Sequence, residues 1–182
     1  MDRNQFIAAL AAPAIALGCV GLNAALAAGV GFDDRAGYTD AVKSLTADEA
    51  AAHTNAIFAR ADIDGSGKLD ANEYAALAIV TAELSRLNGF YALDIGDGRE
   101  FVPLPVSAPG ALSQAEHARV DAVARAEFYA AAGEDGLMDR QEYVGEQAAR
   151  FLDADRNGNG MLAKAELTSF AARAAMISRS DA

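Results

Sequence analysis

The sequence predicts a mainly α fold of helix-loop-helix units, with a short β-hairpin inserted at about residues 90–104. Three observations carry this. Two twelve-residue stretches, Asp62–Glu73 and Asp155–Glu166, set oxygen side chains around a glycine and run straight into apolar helical repeats. Two capping signatures, Thr46 with Glu49 and Ser113 with Glu116, open helices upstream of loops. The composition is 52% hydrophobic and rich in alanine, which favours helix but packs thinly.

The chain has 182 residues, which suits one compact domain or two small lobes. Its net charge is -11 and its sequence pI is about 4.5. That balance disfavours nucleic acid and anionic membrane surfaces as partners. It suits a protein that collects cations, and it suits simple solubility equally well. Cys19 is the one cysteine, so the rest of the chain has no thiol for a disulfide or a thiolate metal site. His53 and His117 lie far apart on alanine-rich helical stretches and read as surface or boundary residues rather than catalysts. No nucleophile motif, phosphate loop or histidine-rich cluster points to an enzyme.

Residues 1–27 read as a secretory signal. Arg3 precedes an apolar run from Phe6 to Leu26, and Ala25-Leu26-Ala27 fits an A-x-A cleavage pattern with cutting after Ala27. A lipid anchor on Cys19 and a retained membrane anchor are the competing readings. Removing 1–27 takes away one Asp and one Arg, so the mature charge stays at -11. Residues 28–45 form a flexible lead-in. Thr46 caps a helix of about 47–61 with Ile57 and Phe58 on its apolar face.

In the loop that follows, Asp62, Asp64, Ser66 and Asp70 stand at positions 1, 3, 5 and 9, and Glu73 at position 12. Gly67 at position 6 allows the sharp turn, and Lys68 at position 7 contributes its carbonyl. This spacing supplies the six to eight oxygens that Ca2+ takes. Asp70 also caps the outgoing helix, with Glu73 at its N3. That helix runs from about Ala71 to Leu87, with Tyr74, Leu77, Ala78, Thr81, Leu84 and Leu87 as its buried stripe, and Asn88-Gly89 ends it.

Residues 89–110 break the helical pattern. Phe90–Ile95 and Arg99–Leu104 flank Gly96-Asp97-Gly98 and predict a hairpin, whose plainest role is to cover the first unit. Asp94, Asp97 and Glu100 do not have metal-loop spacing. Pro103, Pro105 and Pro109 mark a linker and a boundary between two lobes. Ser113 opens a helix to about Ala131, with Val120, Val123, Ala124 and Phe128 facing inward.

Residues 131–142 look like a degenerate loop. Asp135, Asp139 and Glu142 keep oxygens at positions 5, 9 and 12, but Ala131 and Gly133 stand at positions 1 and 3. Phe128 is one residue closer to its loop than Phe58, so the loop reads as one residue short. A helix from Asp139 to about Leu152 leads to the last loop. Its ligands fall at Asp155, Asn157, Asn159, the Met161 carbonyl and Glu166, with Ala163 giving no oxygen at position 9. The last helix, to about Ile177, buries Leu167, Phe170 and Ala174, and 178–182 is a tail.

These loops resemble the EF-hand family. The aromatic, the glycine, the apolar residue at position 8 and the glutamate recur as Phe58/Gly67/Leu69/Glu73, Phe128/Gly136/Met138/Glu142 and Phe151/Gly160/Leu162/Glu166. The resemblance covers about 46–88, the first EF-hand, and 111–177, a degenerate EF-hand plus the last one. It implies that position-8 residues pair loops through a short β-bridge, with the last loop bridging either its neighbour or the first loop. It also implies Ca2+ as the cofactor and resembles compact bacterial exported proteins. The expected role is a calcium sensor or buffer, periplasmic or secreted, with an unidentified protein partner and no membrane insertion after signal cleavage. A structural protein stapled by calcium is the alternative, ahead of an enzyme with an EF-hand appendage.

Overall fold

A computed structural model describes residues 41–96, 98–106 and 110–176. The expected signal peptide, with Cys19, and the tail lie outside the described residues, as does most of the lead-in. In chain order the elements are β1 (Ser44–Thr46), α1 (Ala47–Ala61), β2 (Lys68–Leu69), α2 (Ala71–Asn88), β3 (Phe90–Ile95), β4 (Gly98–Pro103), α3 (Gln114–Ala131), β5 (Met138–Asp139), α4 (Arg140–Ala154), β6 (Met161–Ala163) and α5 (Ala165–Ala174). The fold is mainly α, as the sequence predicts.

Four helices start with side-chain caps that the sequence carries. Thr46, Asp70, Ser113 and Asp139 each form a complete capping box with a glutamate three residues on. α2 ends at Gly89, whose φ of 71° is the left-handed cap that glycine adopts without strain. The hairpin forms where predicted, with Phe90 opposite Pro103 and Ile95 opposite Gly98, and Gly96 turning at φ 59°.

Among the described residues, three two-stranded sheets fix the topology. β2 pairs antiparallel with β5, setting Leu69 opposite Met138, so the first loop bridges the degenerate loop. The last loop bridges neither of the other loops. Its strand β6 pairs with β1, setting Leu162 opposite Leu45. A piece of the lead-in thus stands where a partner loop would be, and the Ala47 N–H donates to the Gly160 carbonyl at 3.3 Å.

Two apolar clusters result, and α1 and α4 serve both. One cluster holds Phe58, Leu69, Tyr74, Val120, Phe128, Met138 and Tyr143. The other holds Leu45, Ala50, Tyr91, Leu93, Val102, Phe151, Leu162 and Phe170. Phe58 near the end of α1 meets Tyr143 near the start of α4, with ring centroids 5.7 Å apart. Ala50 near the start of α1 shares a cluster with Phe151 near the end of α4. The two helices therefore run antiparallel, and a pair of loop strands closes each end. Elements from both sides of the 89–110 linker enter the Leu45 cluster. The hairpin packs Tyr91, Leu93 and Val102 there, with the core of the last loop rather than the first.

The buried stripe of α2 differs from the expected one. Tyr74, Ala75, Ala78, Ala82 and Ser85 are buried, while Leu84 and Leu87 are 49% and 39% exposed. α2 packs along α3 through small residues, which bring the helix axes close and turn the leucines outward. Val123 is likewise 43% exposed, because Val120, Ala124 and Phe128 form the i, i+4, i+8 row that faces α2. α5 stops at Ala174 rather than near Ile177; Leu167 and Phe170 are buried as expected, but Ala174 is only half-buried, and Ala171 and the capping Ala175 are the fully buried alanines.

Candidate metal centre

The first loop is set by its two ends. α1 ends at Asp62, whose N–H donates to the Phe58 carbonyl at 3.0 Å, and α2 begins after Asp70. Between them Gly65 and Gly67 take φ of 70° and 81°, the left-handed region where a side chain would be strained. That curl brings Asp62, Asp64 and Glu73 together, with one carboxylate oxygen of each within 4.8 Å of the others.

The hydrogen bonds show which oxygens are used within the loop. Asp62 Oδ2 accepts from the Gly67 N–H at 2.9 Å. Asp62 Oδ1 is buried and has no hydrogen-bond partner. A buried carboxylate oxygen costs free energy unless something compensates it, and a cation is the compensation its neighbours favour. Asp64 Oδ1 accepts from the Ser66 N–H at 2.9 Å, and that bond holds the Asp64 carboxyl below its ordinary value. Glu73 Oε1 accepts from the Ile63 N–H at 2.8 Å, and its Oε2 from the Asp70 N–H at 3.0 Å. The donor set is all oxygen, as a hard divalent cation requires, so the residues fit Ca2+.

The remaining expected ligands lie around this trio. Ser66 Oγ donates to the Lys68 carbonyl at 2.9 Å. Asp70 Oδ1 is taken by the Asn72 and Glu73 N–H groups at 2.7 and 2.8 Å, so this oxygen caps α2. The Lys68 ammonium turns away and pairs with Asp135 of the degenerate loop.

The last loop repeats the backbone with less charge. Gly158 and Gly160 take φ of 68° and 75°. The Gly160 N–H donates to Asp155 Oδ2 at 2.8 Å, as Gly67 does to Asp62. The Asn159 N–H donates to Asn157 Oδ1 at 3.1 Å, and Asn159 Oδ1 accepts from the Met161 N–H at 2.9 Å. Asn157 Nδ2 donates to Glu166 Oε1 at 2.9 Å, which occupies one oxygen of the closing carboxylate. With Asp155 and Glu166 as its two carboxylate side chains, this loop gathers no trio of carboxylates. Ala163 cannot cap, so α5 starts one residue later in its loop than α2 does. Lys164 then takes the N-cap position with φ 49° and no side-chain cap.

The degenerate loop is one residue short, as its aromatic spacing implies. Ala132, not Ala131, makes the cap bond to the Phe128 carbonyl that Asp62 and Asp155 make to theirs. Ala132 to Gly136 is then one residue less than Asp62 to Gly67. A Cβ at Gly133 would stand 2.6 Å from Glu142 Oε1, so the Glu142 carboxylate occupies space that a side chain at Gly133 would need.

Three features escaped sequence reasoning. The second loop glycine, Gly65 or Gly158, was legible as an Asp-Gly or Asn-Gly turn signal. The Lys68 pairing with Asp135 needed the loop pairing first. His53 is 4% exposed, not a surface residue; its Nε2 lies 3.0 Å from the Tyr91 hydroxyl, and its Nδ1 accepts from the Asp94 N–H at 3.0 Å. His117 does lie at the surface, beside Glu83 at 3.0 Å. Asp94 pairs with Arg60 rather than joining a metal cluster.

An EF hand family model matches residues 54–78, from mid-α1 through the first loop into α2, and supports an EF-hand family. No curated protein and no solved structure matches the chain. Calcium binding is the activity such a motif suggests.

Proposed function

We propose that this protein binds Ca2+ at Asp62, Asp64, Ser66, the Lys68 carbonyl, Asp70 and Glu73. A second, weaker ion sits at Asp155, Asn157, Asn159, the Met161 carbonyl and Glu166. The protein works as a calcium sensor or buffer of a bacterial envelope. The observation that carries the first site is the buried, unpartnered Asp62 Oδ1, on a carboxylate that groups with those of Asp64 and Glu73. Bound calcium would neutralise that concentration of negative charge. Asp70 joins through water, since its Oδ1 caps α2. The envelope setting rests on the cleavable-signal pattern of residues 1–27, and no described helix is long and apolar enough to cross a membrane. The reading assigns no catalytic residue and no nucleic-acid partner.

The order of affinities follows from charge. The first loop brings four carboxylates and the last loop two. Calorimetry on Glu73→Gln and Glu166→Gln tests this. Glu73→Gln removes the tighter event and leaves the weaker one; Glu166→Gln does the reverse. Loss of the weaker event with Glu73→Gln contradicts the assignment.

A further inference from the structure

We propose that the turn after α5 is an internal lid, in which Met176 partly covers a cleft between α1, α2 and α4 and leaves it when the first loop binds Ca2+. The trigger rests on the calcium reading above; the lid itself rests on geometry. Met176 follows the exit helix of the last loop, yet it packs against the cluster of the first. Its neighbour Ala175 is fully buried in the other cluster. The turn between them puts Met176 at φ 52°, a left-handed conformation that side chains other than glycine adopt at a cost. Its N–H reaches the Arg173 carbonyl at 3.0 Å, so the helix has tightened and stopped there. An unbranched thioether carried on a strained turn suits a removable contact, because it fills an irregular gap without a unique fit.

Met176 lines a partly open cavity of about 50 Å3 together with Ile57, Leu77, Tyr74 and Tyr143, and His53 and Arg150 give it a polar side. Ile57 stands on α1 and Leu77 on α2, the two helices that the first loop joins. A change in the angle between them changes the width of the cleft. Glu73 bonds the Ile63 N–H from the first turn of α2, so the ligand set and one wall of the cleft share a helix. Opening exposes more of Ile57, Leu77 and Tyr74 on the first hand, the side chains that line the cleft with Met176.

The chain has four methionines, Met1, Met138, Met161 and Met176, so methyl labelling of the full chain gives few signals to assign. Calcium is titrated in while the Gly67 amide reports filling of the loop. The Met176 methyl moves to the position of an exposed methionine, and Met138, buried in the loop pair, does not. Met176→Gly keeps the turn and removes the anchor; it binds Ca2+ about fivefold tighter or more, whereas Met176→Leu stays near wild type. A Gly67 shift with an unmoved Met176, or unchanged affinity in Met176→Gly, overturns the lid and leaves calcium binding standing. A silent Gly67 overturns both.

Discussion

At His53 the imidazole is fixed by both nitrogens. Nδ1 accepts from the Asp94 N–H, so Nε2 carries the proton and faces the Tyr91 hydroxyl at 3.0 Å. Burial pushes its pKa down to about 4, against the pull of the Asp94 carboxylate 3.8 Å away and with the push of Arg60. Unfolded, the ring titrates near 6.5, so between 6.5 and 4 the unfolded chain binds the extra proton. The stability from keeping His53 neutral is therefore complete above about 6.5 and is lost as pH falls to 4, by about 3 kcal/mol. Urea midpoints across that window show the slope, and His53→Gln flattens it. An equal slope in the variant contradicts the assignment. A lone histidine on an alanine-rich helix reads as a surface or boundary residue because its partners, Tyr91 and Asp94, come from a strand about forty positions away.

At the level of elements, the helix starts were legible and so were most buried faces, as with Val120, Ala124 and Phe128 on α3, but the face of α2 was not. Each capping box is a local signal, and the four that form lie where the spacing puts them. The buried face of α2 depends on how closely α3 approaches. Counting large apolar residues selects Leu84 and Leu87, while the packing selects Ala78, Ala82 and Ser85. α5 is the helix without a side-chain cap, and Lys164 carries the strain at φ 49° and ψ -117°. Lys164→Gly should raise stability by about 1 kcal/mol, because glycine adopts that conformation freely and is acceptable at an N-cap. Thermal melts at fixed calcium check it. No gain, or a loss, means that the Lys164 side chain stabilises the loop in a way its backbone does not show.

Over the whole molecule, the loop turns and the grouping of Asp62, Asp64 and Glu73 were legible and loop pairing was not. Ligand spacing is local to twelve residues, whereas the Leu69–Met138 and Leu45–Leu162 pairs join segments that only folding brings together. α1 and α4 each run from one loop pair to the other, so the two clusters share their walls. Unfolding should therefore be one transition. Phe58→Ala and Phe151→Ala, one in each cluster, should both lower it, by about 3–5 kcal/mol each. Two separate transitions in calorimetry, each sensitive to one variant, contradict a shared framework.

The most direct test of calcium binding is an amide spectrum recorded through a calcium titration. The Gly67 and Gly160 N–H groups already donate to Asp62 and Asp155, so each reads the charge state of a first ligand. The expected result is a strong shift of both, with Gly67 saturating at lower calcium. Movement of core resonances with them marks a sensor, and a still core marks a buffer or a staple. If neither amide shifts at millimolar calcium, the loops bind no ion and the central claim fails.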